Sequence, residues 1–270
     1  VANPPRRQQI TRIEPPAPLE IGFVQQPAGG DHRRTVRDMV FHRFEQHQIL
    51  QVVRRLAFAE PGDPGHSPVL GHEICGEVVG LGKNIADLKN GQQVAVIPYV
   101  ACQQCPACKS GRTNCCEKIS VIGVHQDGGF SEYLSVPVAN ILPADGIDPQ
   151  AAALIEPFAI SAHAVRRAAI APGEQVLVVG AGPIGLGAAA IAKADGAQVV
   201  VADTSPARRE HVATRLELPV LDPSAEDFDA QLRAQFGGSL AQKVIDATGN
   251  QHAMNNTVNL IRHGGTVVFV

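Results

Sequence analysis

From Gln175 onward, short apolar runs alternate with helical stretches in a regular order. Strands are predicted over 175–179 and 198–202, with helices over 183–195 and 205–216. A short strand in LPVLD, a helix over Ala225–Phe236, a buried strand in KVIDAT, a helix over Asn250–Arg262 and a last strand in GTVVFV follow. Strands alternating with helices predict a parallel, doubly wound sheet. A six-stranded version needs one strand more than this pattern supplies, so the sheet is expected to be truncated at its C-terminal end.

Upstream, Pro68 to Ala144 carries a different pattern: short β runs, EICGEVVGLG, QQVAVIPYV, GGFSEYLSVP and ANILPA. Turn signals at Lys83-Asn84, Asn90-Gly91 and Asp127-Gly128-Gly129 separate them. Pro149–Ile170 reads as a linking helix with an apolar stripe through Leu154, Phe158, Ala162 and Val165. Residues 1–66 match neither texture, with nine arginines, seven glutamines and no lysine. There Asp38–Leu56 is either an amphipathic helix, with Val40, Phe41, Phe44, Leu50 and Val53 on one side, or part of a solvated arm.

Composition narrows the class. At 270 residues, with 44% hydrophobic and 18% charged residues, the chain can form two domains with a real core. No apolar run approaches the roughly 20 residues of a membrane span, and no secretory signal opens the sequence. A net charge of −3 argues against a nucleic-acid partner. Five of the six cysteines lie between residues 102 and 116, which is metal spacing in a reducing, cytoplasmic compartment, not a disulfide framework.

Three constellations carry chemistry. The first is Gly180, Gly182 and Gly185, a G-x-G-x-x-G turn between predicted strand and helix. Its glycines permit the tight turn, the approach of a pyrophosphate and close helix–strand packing, and the helix N-terminus faces the anion. Pro183 and Ile184 complete the turn. Asp203 ends the next strand, where a carboxylate can accept from ribose hydroxyls, which favours NAD. Arg208 and Arg209 keep NADP open, and a simple helix-capping role for Asp203 is the bland alternative. The second is Cys102, Cys105, Cys108 and Cys116, spaced C-x2-C-x2-C-x7-C, four thiolates able to close a tetrahedral structural zinc site. Cys115, beside Cys116, is taken as a spare thiol. The third is His72, Glu73 and Glu156: an imidazole and two carboxylates can hold zinc and leave a position for a substrate oxygen. Each of these three alone reads more readily as a solvated or capping residue.

In this order, GHEICGEVVGLG, the four-cysteine loop, GVHQDGGFSEY, IEPF and VLVVGAGPIGL resemble the zinc-dependent medium-chain dehydrogenases, over Pro68 to Val270. The pattern is most similar to their sorbitol, threonine and sugar-acid (L-galactonate-like) branch. The resemblance implies an α/β protein: a GroES-like β-rich catalytic domain, a Rossmann doubly wound nucleotide-binding domain, and a catalytic zinc. It implies His72, Glu73 and Glu156 as catalytic zinc ligands, Cys102, Cys105, Cys108 and Cys116 as structural ones, NAD as cofactor and a homo-oligomer. The expected boundaries are an atypical segment over 1–66, a GroES-like zinc domain over 67–155 and an incomplete Rossmann domain over 156–270.

The implied activity is hydride transfer between NAD and a secondary alcohol: a polyol, a sugar acid or an amino-alcohol acid. Two departures weigh against it. The family's opening segment carries a G-x-C-G-x-D motif whose cysteine binds the catalytic zinc, and residues 1–67 contain no cysteine. The family also continues some seventy residues further. Residues 1–66 are therefore expected to be a disordered, mistranslated or rearranged substitute. The alternative function is a catalytically inactive NAD-binding remnant that retains its structural zinc. A zinc adaptor for nucleic acid or protein is disfavoured by the acidic balance and the dinucleotide turn.

Overall fold

The computed structural model describes residues 18–19, 69–82 and 85–270, in two compact units, Val1–Ala153 and Leu154–Val270. The helix expected over Asp38–Leu56 and the turn at Lys83-Asn84 lie outside the described residues, as does nearly all of the segment 1–66.

The first unit is built from short antiparallel pairs. Strand β1 (Pro18–Leu19) precedes β2 (Ile74–Glu77), β3 (Gln93–Val96), β4 (Tyr99–Val100), β5 (Ser120–Val121), β6 (Val136–Pro137) and β7 (Ile141–Pro143). The main sheet runs β2-β3-β7, and β1 pairs with β6 and β4 with β5. Ile74, Val78, Val94, Val96, Ile122, Val136 and Ile141 form its core. Among the described residues, two short helices, α1 (Pro106–Lys109) and α2 (Pro149–Ala153), belong to this unit, and α2 packs on β2 and β3.

The GGFSEYLSVP run forms a strand only at Val136–Pro137, because its backbone is used elsewhere. Gly128, Gly129 and Phe130 donate their amides to the carbonyls of Val69, Gly71 and Leu70 at 2.8, 2.8 and 2.9 Å. The Ser131 hydroxyl lies within hydrogen-bond reach of the Gly128 and Tyr133 carbonyls.

The second unit opens on α3 (Ile155–Ala168) and continues β8 (Gln175–Val179), α4 (Pro183–Ala194), β9 (Gln198–Ala202), α5 (Pro206–His211) and β10 (Val220–Leu221). It ends with α6 (Phe228–Gln235), β11 (Ala241–Asp246), α7 (Gln251–Asn256) and β12 (Ile261–Phe269). Five parallel strands stand in the order β10-β9-β8-β11-β12. Successive residues of each strand serve opposite faces. Val176, Val178 and Val201 pack with Ala164, Ala168, Ala188, Ala189 and Ala192 of α3 and α4. Leu177, Val179 and Val200 pack with Phe228 and Leu232 of α6 and with Phe236 just beyond it. Both faces are covered, as a parallel sheet requires.

Four predicted helices differ from the observed ones, each for a local reason. The linking helix breaks at Leu154 because Pro157 has no N–H to give the Ala153 carbonyl, and Phe158, placed in its apolar stripe, is exposed. The helix expected over 205–216 is α-helical only to His211 and then widens into a π-turn over Val212–Leu216. There the Thr214 hydroxyl donates to the Glu210 carbonyl at 2.8 Å, and Lys193 Nζ donates to the Leu216 carbonyl at 2.6 Å. The helix expected from Ala225 starts at Phe228. The helix expected over Asn250–Arg262 stops at Asn256, and a 3-10 turn carries the chain to Asn259 before β12 begins at Ile261. Asn250 caps its start by accepting from the Ala253 amide at 3.1 Å. Its end is dictated by pairing, since Ile261 already stands opposite Ala241 in the sheet.

Candidate functional site

The cysteine lobe is held by its own backbone. Cys105 is the N-cap of α1, with Pro106 at the first helical position, and its sulfur accepts from the Cys108 amide at 3.5 Å. The Cys105 amide points at Cys102 Sγ at 3.4 Å, and the amides of Cys102 and Lys118 point at Cys116 Sγ, each at 3.3 Å. Gln103 takes a left-handed conformation, φ 58°, to close the first C-x2-C turn.

The sulfurs of Cys102, Cys105, Cys108 and Cys116 all lie within 4.8 Å of one another. Four thiolates at about 2.3 Å from a central zinc stand about 3.8 Å apart, so this donor set fits a closed tetrahedral ion. Cys115 is exposed and outside the cluster.

The protons are distributed unevenly among these sulfurs. N–H donors from Cys108 and then Glu117 lower the Cys105 thiol from its ordinary 9.0 to about 6. Donors from Gln104 and Cys105 also lower Cys102. Burial first, then the neighbouring sulfurs of Cys105 and Cys116, push Cys108 up to about 12. A cluster that favours thiolate at two sulfurs and retains a proton at a third exchanges that proton for a cation.

In the same unit, His72 and Glu73 follow Gly71 and lead into β2. The strap Val69–Gly71 is laid along Gly128–Phe130 by the three hydrogen bonds given above, and Asp127 Oδ1 accepts from the Val69 amide at 2.8 Å. Backbone meets backbone there. A Cβ on Gly123 or Gly128 would stand 2.2 or 2.3 Å from the Gly71 carbonyl oxygen, so both positions must be glycine. A ring nitrogen of His72 and a carboxylate oxygen of Glu73 lie within 4.8 Å of each other, and both side chains are half-buried. Cys75, on β2 opposite Ala95, is a packed thiol, pushed up first by burial and then by the charge of Asp148.

Glu156 belongs to the second unit, where it is buried in the first turn of α3. An anionic side chain is favoured at that helix end.

The dinucleotide turn joins β8 to α4. Gly180, at φ +96°, lies so close to the turn after β11 that a Cβ would stand 3.1 Å from the Ala247 carbonyl. At Gly185 a Cβ would stand 1.8 Å from the Gly180 oxygen. Gly182 differs: a Cβ there meets nothing within 4 Å. Gly182 is the N-cap of α4, no side chain caps that helix, and Pro183 and Ile184 form its first turn. Open space before an uncapped helix N-terminus fits a pyrophosphate. The turn also lies where the strand order reverses, between β8 and β11, the place where open parallel sheets bind ligands.

Asp203, just past β9, is buried. Its Oδ2 accepts from the Ala181 amide and its Oδ1 from the Ser205 amide, both at 2.7 Å. Arg208 Nη1 stands 3.6 Å from Oδ2. Arg209 is committed elsewhere, donating to the Asp203 carbonyl at 2.8 Å and pairing with Asp222 at 3.0 Å. The hydroxyl and amide of Ser224, and then Arg209, hold the Asp222 carboxyl below the usual range.

Asp246, at the end of β11, escaped the sequence pattern because KVIDAT reads only as a strand. Its Oδ1 accepts from the Thr248 amide at 2.9 Å and hydroxyl at 2.6 Å, and its buried Oδ2 finds no donor among the described residues. It fixes the Ala247–Thr248 turn against Gly180.

Residues 46–146 match the alcohol dehydrogenase GroES-like domain, and residues 183–270 match the zinc-binding dehydrogenase domain. The first match reaches into the segment of unfamiliar texture. Over 202 residues the chain is 99% identical to L-galactonate-5-dehydrogenase of Escherichia coli (strain K12), covering 75% of this chain and 59% of that one. A crystal structure of an alcohol dehydrogenase from Escherichia coli CFT073, complexed with cofactor NADH, is 32% identical with a TM-score of 0.68, covering 74% of this chain and 60% of that one. Galactitol-1-phosphate dehydrogenase from Escherichia coli is 30% identical with a TM-score of 0.68, covering 75% and 59%. The chain thus spans 59% of the length of its 99%-identical relative. Among the described residues no helix is long and apolar enough to cross a membrane. With both of its units matched by dehydrogenase families and the four-sulfur cluster between its short strands, the chain belongs to the zinc-dependent medium-chain alcohol dehydrogenases, in their sugar-acid branch.

Proposed function

We propose that this chain is an NAD-dependent dehydrogenase that oxidises a secondary alcohol of a sugar acid such as L-galactonate. The observation that carries this is the 99% identity to L-galactonate-5-dehydrogenase over 202 residues. His72, Glu73 and Glu156 are the proposed ligands of a catalytic zinc, an imidazole and two carboxylates being donors that zinc accepts. Bound together, zinc and NAD supply polarisation of the substrate hydroxyl and a hydride acceptor. The chain's own part is placement. Gly182 leaves room for the pyrophosphate at the N-terminus of α4, Pro183 and Ile184 form the turn beneath it, and Gly180 and Gly185 keep that turn tight. Asp203, already holding the Ala181 amide, offers its remaining lone pairs to the adenosine ribose, with Arg208 beside it. Net, the alcohol carbon gives up hydride to NAD, the hydroxyl proton passes to solvent, and a ketone results. A small-molecule substrate and a homo-oligomeric state complete the proposal.

One observation favours a second reading, an inactive NAD-binding remnant: residues 1–67 contain no cysteine, and Cys75 is a packed thiol. Turnover separates the two. The purified chain with zinc and NAD is expected to form NADH from L-galactonate at about 1 to 10³ per second, and His72→Ala or Glu156→Ala to lower this at least about 100-fold. NADH binding without turnover, in the unaltered chain, would establish the remnant.

Cofactor choice is tested separately. A 2′-phosphate would meet the buried charge of Asp203, so NADH is expected to bind more tightly than NADPH in fluorescence titrations, and Asp203→Ala to narrow the gap. The same substitution strands the Ala181 and Ser205 amides, so a lower melting temperature should accompany it.

A further inference from the structure

Ser161, on α3 beyond Glu156, has no exposed surface. Its hydroxyl lies 3.0 Å from the Pro157 carbonyl of its own helix and 2.9 Å from the Ile184 carbonyl of α4. The first contact is the ordinary back-bond of a helical serine. The second reaches into the opening turn of the dinucleotide helix, two residues past Gly182.

Opposite Ser161 stands Gly187. A Cβ there would lie 2.5 Å from Ser161 Oγ and 2.9 Å from Ser161 Cβ. Gly187 has no positive φ, so its backbone does not call for glycine. A glycine inside a helix is less favourable than alanine, and α4 otherwise buries alanines 188, 189 and 192 in one cluster with Ala164 and Ala168. The proximity of Ser161 alone explains the glycine. The pair is complementary: a hydroxyl on one helix, the room for it on the other, and a first-turn carbonyl as its acceptor.

Ser161 lies little more than one turn from Glu156, and Gly187 little more than one turn from Pro183. A shift at this crossing therefore moves the N-terminus of α3 relative to the dinucleotide turn almost undiminished. The close approach at Gly187 sets the separation of the two helices, and the hydroxyl bonded to the Ile184 carbonyl adds to it. We infer that the Ser161–Gly187 contact sets the position of Glu156 relative to the dinucleotide turn, making Ser161 a positioning residue for the proposed reaction. The inference rests on Glu156 being a ligand of the second metal.

Cobalt(II), whose visible absorption reports ligand geometry, tests this in the full chain. The unaltered chain is expected to bind two cobalt ions, and Glu156→Ala only one. Gly187→Ala is expected to keep the cysteine-bound ion, weaken the other about 10-fold, shift its spectrum, and reduce the spectral change that NADH induces. The double variant Ser161→Gly with Gly187→Ala restores the room and should recover affinity and spectrum to within about 3-fold. Should Glu156→Ala leave both ions and their spectra unchanged, the ligand role of Glu156 fails and the inference with it. If Glu156→Ala removes one ion while Gly187→Ala leaves the spectrum and its NADH response unchanged, the positioning role alone is overturned. A Gly187→Ala chain that does not fold leaves the decision to the double variant, and an unrecovered double variant counts against the contact.

Discussion

Changing Cys105 to serine is expected to remove the zinc that the unaltered chain retains through mild chelation, leaving the lobe 101–119 open to rapid amide exchange. The sulfur of Cys105 takes part in the four-sulfur cluster and accepts the Cys108 amide at the start of α1; serine, itself a good N-cap, keeps the cap, so the change removes the ligand alone. Structural zinc sites are worth about 10–16 kcal/mol in all. Losing one of four thiolates should therefore weaken binding about 100-fold or more, enough for a chelator to strip the ion. Atomic absorption before and after dialysis against chelator checks it, and a parent chain without zinc would refute the assignment.

Acid should act in the same direction. The folded Cys105 thiol is depressed from 9.0 to about 6, so the stability its thiolate contributes to the metal-free lobe is fully present above about pH 9 and is lost as pH falls through about 6. Zinc uptake near neutral pH should release protons, among them that of Cys108, whose thiol is held at about 12. Serine at position 105 removes the low-pH transition together with the metal.

What was legible in the sequence was local. The cysteines of C-x2-C-x2-C-x7-C reach one point because three residues span a turn, and the three glycines stand where strand, turn and helix meet within a dozen residues. Strands β8 and β9 could be read because a parallel strand buried on both faces is apolar without interruption, and β11 from its shorter buried run Val244–Ile245. What was not legible depended on partners distant in the chain. Asp203 reads as a ribose acceptor from its position alone, yet both its oxygens are already engaged by amides, one of them 22 residues away in the dinucleotide turn. The capping role set against it was thus half present, since Oδ1 does hold the Ser205 amide. The end of α7 was overrun because nothing between Asn250 and Arg262 signals a stop as strongly as the pairing of Ile261 with β11. The GGFSEYLSVP run looks like a strand until its amides are found on Val69–Gly71. The close packing of Gly187 on Ser161 could not be read from a run of small residues.

The glycines of the dinucleotide turn should separate sharply when each is changed to alanine, although the motif treats them as one signature. Gly185→Ala places a methyl group 1.8 Å from the Gly180 oxygen, a separation no side-chain rotation relieves, because the obstacle is backbone. Helix α4 must back away from β8, opening a core of alanines and valines that has no exposed surface at Val176, Val178, Ala188 and Ala189. Overpacking and core disruption of this kind cost about 1–3 kcal/mol or more, so melting temperature and NADH binding should fall together. Gly182→Ala is the opposite case: φ is −74°, nothing lies within 4 Å of the added carbon, and the poorer N-cap costs only about 1 kcal/mol. Its melting temperature should stay within a few degrees of the parent. The methyl group would nevertheless occupy the space in which a pyrophosphate approaches the amides at the start of α4, and NADH affinity should fall at least about 10-fold. Calorimetry and nicotinamide fluorescence on the two variants decide the matter, and a Gly182→Ala chain that binds NADH like the parent would show that the pyrophosphate does not sit at this turn.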